Sequence, residues 1–258
     1  MTARLVHIYR YPVKGLSPEP LDSVRIAPGR PLPHDRQFAL ARPSAAFDGP
    51  PHWIRRGNFF QRANDAVLAE LDLRCDPDSG RIALQRRGRM VASGNLRDPQ
   101  DRAALEVFFA DLLGSEAGRP RLVEIASGFP PGAGGQSFAD TEAPHISIIN
   151  LATLRALGAL VGAELHPLRF RGNLYVEAEP WAEFDWVGRQ LAIGDARLDI
   201  VRRIGRCAAT NVNPDTAERD QNLPLALRRA YGHADCGVYA IAAAAGEIRT
   251  GASIEIAA

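Results

Sequence analysis

Short runs of alternating apolar and polar residues fill the first third of the chain. LVHIYRYPV and SVRIAPG alternate in the manner of half-buried strands, and HDRQFALA predicts a third strand. A hairpin is predicted where VLAELDLRC and RIALQRR flank the turn sequence DPDSG. Strands this short, separated by proline and glycine, favour a β-barrel or a sandwich over a layer of helices.

Three stretches have the spacing of amphipathic helices. The first begins at Asp98-Pro99, because Asp98 can cap a helix and proline suits the first helical position, and it ends at Gly114. The second follows Asn150, a natural cap, and ends at Gly162. The third is the short segment LPLALRRAYG. We therefore predict few helices among many strands.

The second half of the chain is again rich in predicted strands. These are HISIIN, RFRGNLYVEAE, a hairpin in QLAIGDARLDIVRR that turns at Gly194-Asp195, and the segments CGVYAIA and SIEIAA. PPGAGGQ, from Pro130 to Gln136, has the composition of a linker. We expect a mainly β (α+β) protein of two packed domains: an N-terminal β-barrel-like domain at 1–120 and a β-barrel domain with a few helices at 121–258.

Composition excludes several classes of protein. The net charge is +1 and the pI is near 7.8, which argues against a general nucleic-acid binder. No run approaches the roughly 18 apolar residues of a membrane span, and the N-terminus lacks the order of a signal peptide, so we expect a cytoplasmic protein without a membrane span. The three cysteines do not form a secreted disulfide framework.

Several common catalytic motifs do not occur in the sequence. It has no GxGxxG after a strand, GxxxxGK[ST], HExxH, CxxC or GxSxG. HADC, from His233 to Cys236, offers two zinc ligands, whereas a zinc site needs three or four protein ligands. Any catalytic or binding chemistry is therefore expected from residues outside these motifs.

The segment RCAATNVNPDT, from Arg206 to Thr216, is the first candidate. A guanidinium beside Cys207 favours the thiolate, which attacks electrophiles and binds metals, and the Asn213-Pro214 turn would hold the cysteine at a loop. The alternative is an ordinary small buried cysteine. Lys14 is the second candidate, because it is the single lysine among 31 basic residues and supplies a compact ammonium that arginine cannot replace.

Arginines are candidates for binding an anion. Arg36, Arg62 and Arg171 can each grip a phosphate in a two-pronged manner, and Asn173 beside Arg171 offers both donors and an acceptor. The alternative for each arginine is an ordinary solvated or ion-paired surface residue.

The pattern RCxxTxVxPxT around Cys207 resembles the cysteine loop of the MOSC domain, named after the C-terminal part of molybdenum cofactor sulfurases. YPVKG (Tyr11 to Gly15) and DRQFAL (Asp35 to Leu40) look like the β-barrel domain that precedes MOSC in the amidoxime-reducing proteins. Asp140-Thr141, HISIIN and RFRGN follow in the family's order, so the resemblance covers nearly the whole chain. The sequence is therefore similar to the mitochondrial amidoxime-reducing component family.

That resemblance implies the molybdenum cofactor, a phosphorylated pterin (molybdopterin) whose dithiolene holds molybdenum. Cys207 would be the thiolate ligand of the metal, and Asp140 would lie near it and position water or substrate. The other implied cofactor-binding residues are Lys14, Arg36, Arg62, Thr141, Ser147, Asn150, Arg171, Asn173, Arg206 and Thr210. The family also leaves pyridoxal phosphate open as a second phosphorylated cofactor.

The activity implied by the resemblance is an oxidoreductase that removes oxygen from N-hydroxylated small molecules, taking up two electrons and releasing water. The electrons would come from a separate ferredoxin- or cytochrome-like protein, because the sequence closes at SIEIAA without a ferredoxin-like cysteine cluster. A second interpretation is a cofactor carrier or sulfur-transfer module, in which Cys207 holds a persulfide without redox turnover. A third is a barrel that has lost its cofactor.

Three departures from the family pattern affect the site. Gly15 stands where relatives often have serine, and NVNP replaces the commoner TVDP. Cys236 precedes Gly237 where an aromatic residue is common, and if it lay near Cys207 it could carry sulfur or form a redox disulfide. These changes bear on substrate and activity more than on the fold.

Overall fold

The computed structural model describes residues 3–126 and 137–256. Their helices are α1 (Pro99–Leu113), α2 (Leu151–Val161) and α3 (Leu223–Tyr231). Their strands are β1 (Ala3–Arg10), β2 (Glu19–Leu21), β3 (Ser23–Ile26), β4 (Phe38–Ala41), β5 (Leu71–Asp76), β6 (Arg81–Arg86), β7 (Arg89–Asn95), β8 (Arg121–Glu124), β9 (Ile146–Asn150), β10 (Leu174–Glu177), β11 (Gln190–Ile193), β12 (Ala196–Gly205), β13 (Asp235–Ala244), β14 (Gly246–Arg249) and β15 (Ser253–Ile256).

Seven strands form a closed barrel. Their order is β10-β9-β13-β12-β11-β15-β1, and β1 pairs with β10 to complete the circle. Alternate residues such as Leu5, Leu198 and Val238 point into a shared apolar interior, which leaves no unpaired edge between these strands. The expected mainly β fold with a barrel and a few helices is confirmed.

Shorter sheets pack beside this barrel. The hairpin of β5 and β6 has Leu71 opposite Arg86, and β7 adds a third antiparallel strand, while β4 pairs with β8. Helix α1 places Leu105 and Phe109 on a second apolar core that these strands share with Val13 and Phe38. The N-cap is as predicted, since the Asp98 side chain accepts hydrogen bonds from the backbone amides of the first turn.

Four strand pairings cross the expected boundary between residues 120 and 121: β1 pairs with both β10 and β15, β3 pairs with β14, and β4 pairs with β8. Strand β1 is part of the barrel otherwise built after residue 145, and β8 pairs with β4. The division into 1–120 and 121–258 stays a prediction, and the predicted linker from Pro130 to Gln136 lies outside the described residues.

Some predicted strands are shorter than expected: the strand predicted in VLAELDLRC begins at Leu71, after a 3₁₀ helix over Ala66–Glu70, and the strand predicted in HDRQFALA begins at Phe38. RFRGNLYVEAE was expected to be extended throughout, but a 3₁₀ helix occupies Pro167–Phe170 and β10 begins at Leu174. Proline lacks the donor that a ladder needs, and Arg171 has a φ of 51°, in the left-handed region, so the chain turns before the strand starts. This turn delivers Arg171 to the site described below.

In the described part of the chain, no helix has the length and apolar character needed to cross a membrane.

Candidate functional site

A cavity of about 230 Å³ brings the predicted residues together. It lies where the loops after β1 and β4 meet the turn before β10 and the loop after β12. Eleven of the twelve predicted site residues line it: Lys14, Arg36, Arg62, Asp140, Thr141, Ser147, Arg171, Asn173, Arg206, Cys207 and Thr210. Segments far apart in sequence thus converge on one pocket.

The pocket concentrates positive charge. Its lining holds one lysine and seven arginines but a single carboxylate, Asp140, although the whole chain carries a net charge of only +1. Clustering eight cations costs electrostatic energy unless something negative offsets it. The lining therefore favours an anionic ligand.

Lys14 and Asp140 form an ion pair inside the pocket. Lys14 Nζ lies 2.5 Å from Asp140 Oδ1 and also donates to the Phe138 carbonyl at 2.9 Å. Burial lowers the pKa of Lys14, and Asp140 partly offsets that effect. Burial raises the pKa of Asp140, but Lys14, Arg36 and Arg56 outweigh it, so the pKa ends below its ordinary value and the carboxylate stays charged.

Two guanidinium groups flank the ring of Tyr11. The central carbon of Arg36 lies 4.5 Å from the ring centroid and that of Arg171 lies 4.3 Å from it, both cation–π distances. Tyr11 is fully buried, and its hydroxyl donates to the Gly172 carbonyl, which fixes the ring. Arg36 is held further by Asp35, which pairs with it. Both arginines have a φ of 51°, so each side chain leaves a left-handed turn toward the pocket.

Three of the cations are held by carbonyl groups. Arg171 Nη1 donates to the Leu16 carbonyl at 2.7 Å, and Arg62 Nε donates to the Gly15 carbonyl at 3.0 Å. Arg206 Nε donates to the Cys236 carbonyl at 2.6 Å. A carbonyl fixes a guanidinium without cancelling its charge. Burial, with the nearby charge of Arg171, lowers the pKa of Arg62 to about 9, and an anionic ligand would offset this repulsion.

The sequence predicted that the guanidinium of Arg206 would favour the thiolate form of the adjacent Cys207, but the structure directs this guanidinium elsewhere. Its guanidinium turns toward the Cys236 and Phe170 carbonyls. Arg56, from a 3₁₀ helix in the loop after β4, lines the cavity together with Cys207; burial lowers the pKa of Arg56, but Cys207 and Asp140 outweigh that effect, so the pKa is raised. The Arg206 position depends on Gly237, whose φ is +79° and where an added Cβ would lie 2.9 Å from Nη2 of Arg206 and 2.5 Å from the Ile148 carbonyl oxygen.

The loop that carries Cys207 is pinned from two sides. Thr210 Oγ1 donates to the Cys207 carbonyl at 2.9 Å, within the 3₁₀ helix Ala208–Asn211. The buried Arg169 donates to the Asn211 carbonyl at 3.2 Å and pairs with Asp220 at 2.6 Å. The Cys207 side chain is half-buried and lines the cavity. This arrangement presents one thiol at a fixed position in a cationic pocket.

Ser147 and Asn173 hydrogen-bond each other on the pocket wall. Ser147 Oγ donates to Asn173 Oδ1 at 2.8 Å, and the backbone N–H of Asn173 donates to Ser147 Oγ at 3.0 Å. Asn173 Nδ2 donates to the Tyr9 carbonyl at 3.2 Å. Many of the hydrogen-bonding groups of Ser147 and Asn173, which were predicted to bind a ligand, therefore join β1, β9 and the start of β10 to one another.

Comparison with known proteins finds a family match for the second half of the chain. The model of the MOSC domain family matches residues 135–255. This chain contains a MOSC domain. Human mitochondrial amidoxime-reducing component 1 is 29% identical over 119 residues, which are 45% of this chain and 34% of the length of that protein. MOSC domains are associated with molybdenum cofactor binding.

Two solved structures resemble the chain. The crystal structure of the YUAD protein from Bacillus subtilis aligns over 99% of this chain and 96% of that one, with 13% identity and a TM-score of 0.47. That of YiiM from Geobacillus stearothermophilus aligns over 44% of this chain and 54% of that one, with 17% identity and a TM-score of 0.36.

Asn150 is the one predicted site residue that does not line the cavity. It is fully buried and caps α2 by accepting from the Ala152 amide. Its Nδ2 donates to Glu183 Oε2 at 2.9 Å and to the Glu179 carbonyl at 2.7 Å. Because every polar group of this side chain is engaged away from the cavity, its role is to support the helix and not to contact a ligand there.

Cys236 also lies away from the pocket lining, in an apolar cluster with Leu157 and Leu223. It is fully buried, and burial raises the pKa of its thiol to about 12. Since the thiolate is the reactive form, the structure gives no support to Cys236 as a second sulfur carrier or redox partner.

The lining also includes polar and aromatic residues that were not predicted as site residues, among them Arg56, His145, Arg202 and Tyr239. The His145 and Tyr239 rings stack with centroids 4.7 Å apart, and Arg202 lies 4.8 Å from the Tyr239 centroid. Thr141 Oγ1 lies 2.9 Å from His145 Nδ1. Burial and the charge of Arg202 lower the pKa of His145 to about 4, so this imidazole is neutral at pH 7. His145 stands at the start of HISIIN and was recognisable by position, whereas Arg56 lies in an irregular loop without a sequence signal.

Proposed function

We propose that this pocket binds the molybdenum cofactor and that the protein is an oxidoreductase that uses it. The observation that carries the proposal is the placement of the Cys207 thiol among buried guanidinium groups that are held by carbonyls and retain their charge. The MOSC domain, with its association with this cofactor, supports the same assignment.

The residues present fit such a group in two ways. A phosphate needs donors and positive charge, and Arg62 and Arg171 supply both from positions fixed by backbone carbonyls. A metal that arrives with sulfur ligands of its own needs one more soft ligand, and Cys207 supplies a thiol. Among residues 3–126 and 137–256, no group of three or more His, Cys, Asp or Glu side chains could hold a metal ion by itself.

When bound, the cofactor would supply the redox chemistry, while the protein would bind it, orient it and control access. Lys14, Arg36, Arg62 and Arg171 would neutralise its anionic groups, and Cys207 would be its protein ligand. Asp140 remains a carboxylate next to Lys14, so it would accept hydrogen bonds from water or substrate. His145 remains neutral, so it can either donate or accept a hydrogen bond at the pocket wall.

The proposed reaction is the reduction of N-hydroxylated compounds. Two electrons and two protons convert the N–OH group to N–H and release one water molecule. The electrons would come from a separate ferredoxin- or cytochrome-like donor protein. The similarity to the human amidoxime-reducing component, which spans 34% of that protein, supports this reaction class.

A second candidate function is cofactor or sulfur transfer through a Cys207 persulfide. One observation favours it: the Cys207 side chain is partly accessible, as a sulfur carrier requires. Because Cys236 is buried, sulfur transfer in the pocket would use Cys207 without a second thiol.

Assay of substrate consumption separates the two functions. Protein from a host that makes the cofactor is supplied with an N-hydroxylated compound and an electron donor, and loss of the compound is followed. Multiple turnovers that disappear in Cys207→Ser and persist in Cys75→Ser would support the oxidoreductase, since Cys75 lies on β5 outside the pocket lining. Stoichiometric transfer of cofactor or sulfur without turnover would contradict it.

A further inference from the structure

Arg56 occupies a position in the pocket that the cofactor assignment does not use. It belongs to the 3₁₀ helix Arg56–Asn58, lines the cavity, and has 47% of its side chain exposed. It shares the lining of this cavity with Cys207, and its Nη1 lies 3.9 Å from Asp140 Oδ2. Arg56 therefore sits where an incoming molecule and Cys207 would meet.

The charge of Arg56 remains available to a ligand. Within the described ranges, Asp140 is the one carboxylate within 4.0 Å of its guanidinium. That carboxylate is engaged more closely by Lys14, at 2.5 Å, so it neutralises Lys14 before Arg56. A guanidinium carries five N–H donors in a planar fork. Among residues 3–126 and 137–256 no side chain besides those of Asp140 and Cys207 pairs with the Arg56 guanidinium, so N–H donors of its fork can bind a second anion.

Arg56 also differs from the inner cations in its surroundings. Arg62 and Arg171 are anchored by backbone carbonyls of the loop after β1, and Arg62 is 4% exposed. The half-exposed Arg56 has no such anchor among the hydrogen bonds of the described chain. An exposed, unanchored guanidinium can adjust to ligands that come and go, whereas a buried, fixed one suits a resident group.

We propose that Arg56 is a specificity-determining residue that selects substrates carrying a carboxylate or a comparable two-oxygen anion and holds that group beside Cys207. Such an anion matches the guanidinium fork through two parallel hydrogen bonds. Arg202, which lines the same pocket 4.8 Å from the Tyr239 ring centroid, adds positive charge there. The inference rests on the proposed function only in placing the reacting centre next to Cys207.

The preference can be measured on Cys207 itself, without any cofactor. Iodoacetate and iodoacetamide alkylate a thiolate by the same reaction and have similar size, but only iodoacetate carries a carboxylate. The ratio of their rate constants at Cys207, measured by peptide mass spectrometry on cofactor-free full-length protein, reports anion selection. A change in the thiolate fraction affects both reagents equally and cancels in the ratio. Cys75 and Cys236, with pKa values raised to about 12 by burial, react little at neutral pH.

Arg56→Met should lower the iodoacetate-to-iodoacetamide ratio on the order of tenfold, because a hydrogen bond to a charged group is lost. Arg56→Lys should retain part of the preference. Arg55→Met is the matched control, since Arg55 is the adjacent exposed arginine and does not line the pocket. An unchanged ratio in Arg56→Met, or an equal loss in Arg55→Met, would overturn the proposal. Circular dichroism of each variant checks that the fold is retained.

A second measurement uses the loaded protein. For a pair of N-hydroxylated compounds with and without a carboxylate, Arg56→Met should lower kcat/KM for the acidic member about tenfold and leave the neutral member within about twofold. Equal effects on both compounds would contradict anion selection. If no cofactor is bound and no turnover occurs, the proposed function fails, while the alkylation ratio still decides whether Arg56 selects anions.

Discussion

Nζ of Lys14 lies 2.5 Å from Oδ1 of Asp140, although 126 positions separate the two residues in the chain. Lys14 follows β1, and Asp140 lies within the residues matched by the MOSC family. The lysine is 4% exposed, whereas 45% of the Asp140 side chain is exposed. The pair therefore links the loop after β1 to the region matched by the MOSC family, within the pocket.

Breaking this pair has opposite consequences for stability and for ligand retention. Asp140→Asn leaves a buried ammonium with the Phe138 carbonyl as its remaining partner, and should cost about 1–2 kcal/mol of unfolding free energy, reduced from a fully buried pair because Asp140 is half-exposed. Lys14→Ala leaves a carboxylate that water can reach, so it should cost less stability but weaken cofactor retention. Urea unfolding and pterin content measure the two effects.

The control for this prediction is Asp195→Asn, an exposed carboxylate in the turn between β11 and β12. It should change neither stability nor pterin content. Equal stability losses in Asp140→Asn and Asp195→Asn would contradict the importance of the pair.

Inorganic anions should stabilise the cofactor-free protein. Arg62 is buried and the partly buried Arg171 lies near it, so the charge of Arg171 adds to the effect of burial in lowering the pKa of Arg62. Phosphate at about ten times its dissociation constant should add about 1.4 kcal/mol to the unfolding free energy at constant ionic strength. Arg171→Met should lose this gain, whereas Arg89→Met, on the exposed face of β7, should keep it. A phosphate effect of equal size in both variants would show that the ion acts generally and not in the pocket.

His145 should make the protein less stable in mild acid. The unfolded chain binds a proton on this imidazole near pH 6.5, but the folded protein binds it only near pH 4, because burial and Arg202 disfavour the charged ring. Stability is therefore complete above pH 6.5 and falls as the pH drops toward 4. The loss attributable to His145 at pH 5 should be about 1–2 kcal/mol.

Urea midpoints at pH 7.5 and pH 5, compared between the wild type and His145→Gln, measure this loss. The variant should lose less stability on acidification. His7 is a suitable control position, because it lies on β1 and does not line the pocket. The same acid sensitivity in His145→Gln as in the wild type would show that other groups are responsible.

The sequence contained the information for the strands, the helix ends and most of the pocket. Asp98 and Gly114 delimit α1 because capping is a local effect, and the YPVKG and RFRGN segments could be matched through their residues alone. Arg56 could not be found in this way, since its position depends on how a loop without periodicity folds over Cys207. Arg206 shows the opposite limit: adjacency to Cys207 in sequence did not place its guanidinium beside the thiol.

Asn150 illustrates why a residue type alone does not define a ligand contact. Its side-chain amide could hydrogen-bond a ligand, but it can also cap a helix. In the structure its Nδ2 donates to the buried Glu183, and its Oδ1 accepts from the backbone N–H of Ala152. Which of these uses prevails depends on tertiary packing between α2 and the 3₁₀ helix Ala182–Trp186.

Cys207 is proposed to hold the metal of a molybdenum cofactor in this pocket. The most direct test is the molybdenum and pterin content, with X-ray absorption at the molybdenum edge, of wild-type and Cys207→Ser protein from a host that makes the cofactor. We expect near-stoichiometric molybdenum and pterin in the wild type, and in Cys207→Ser a folded protein whose metal has lost one sulfur ligand. Wild-type protein without molybdenum or pterin, or an identical sulfur coordination in both proteins, would contradict this assignment.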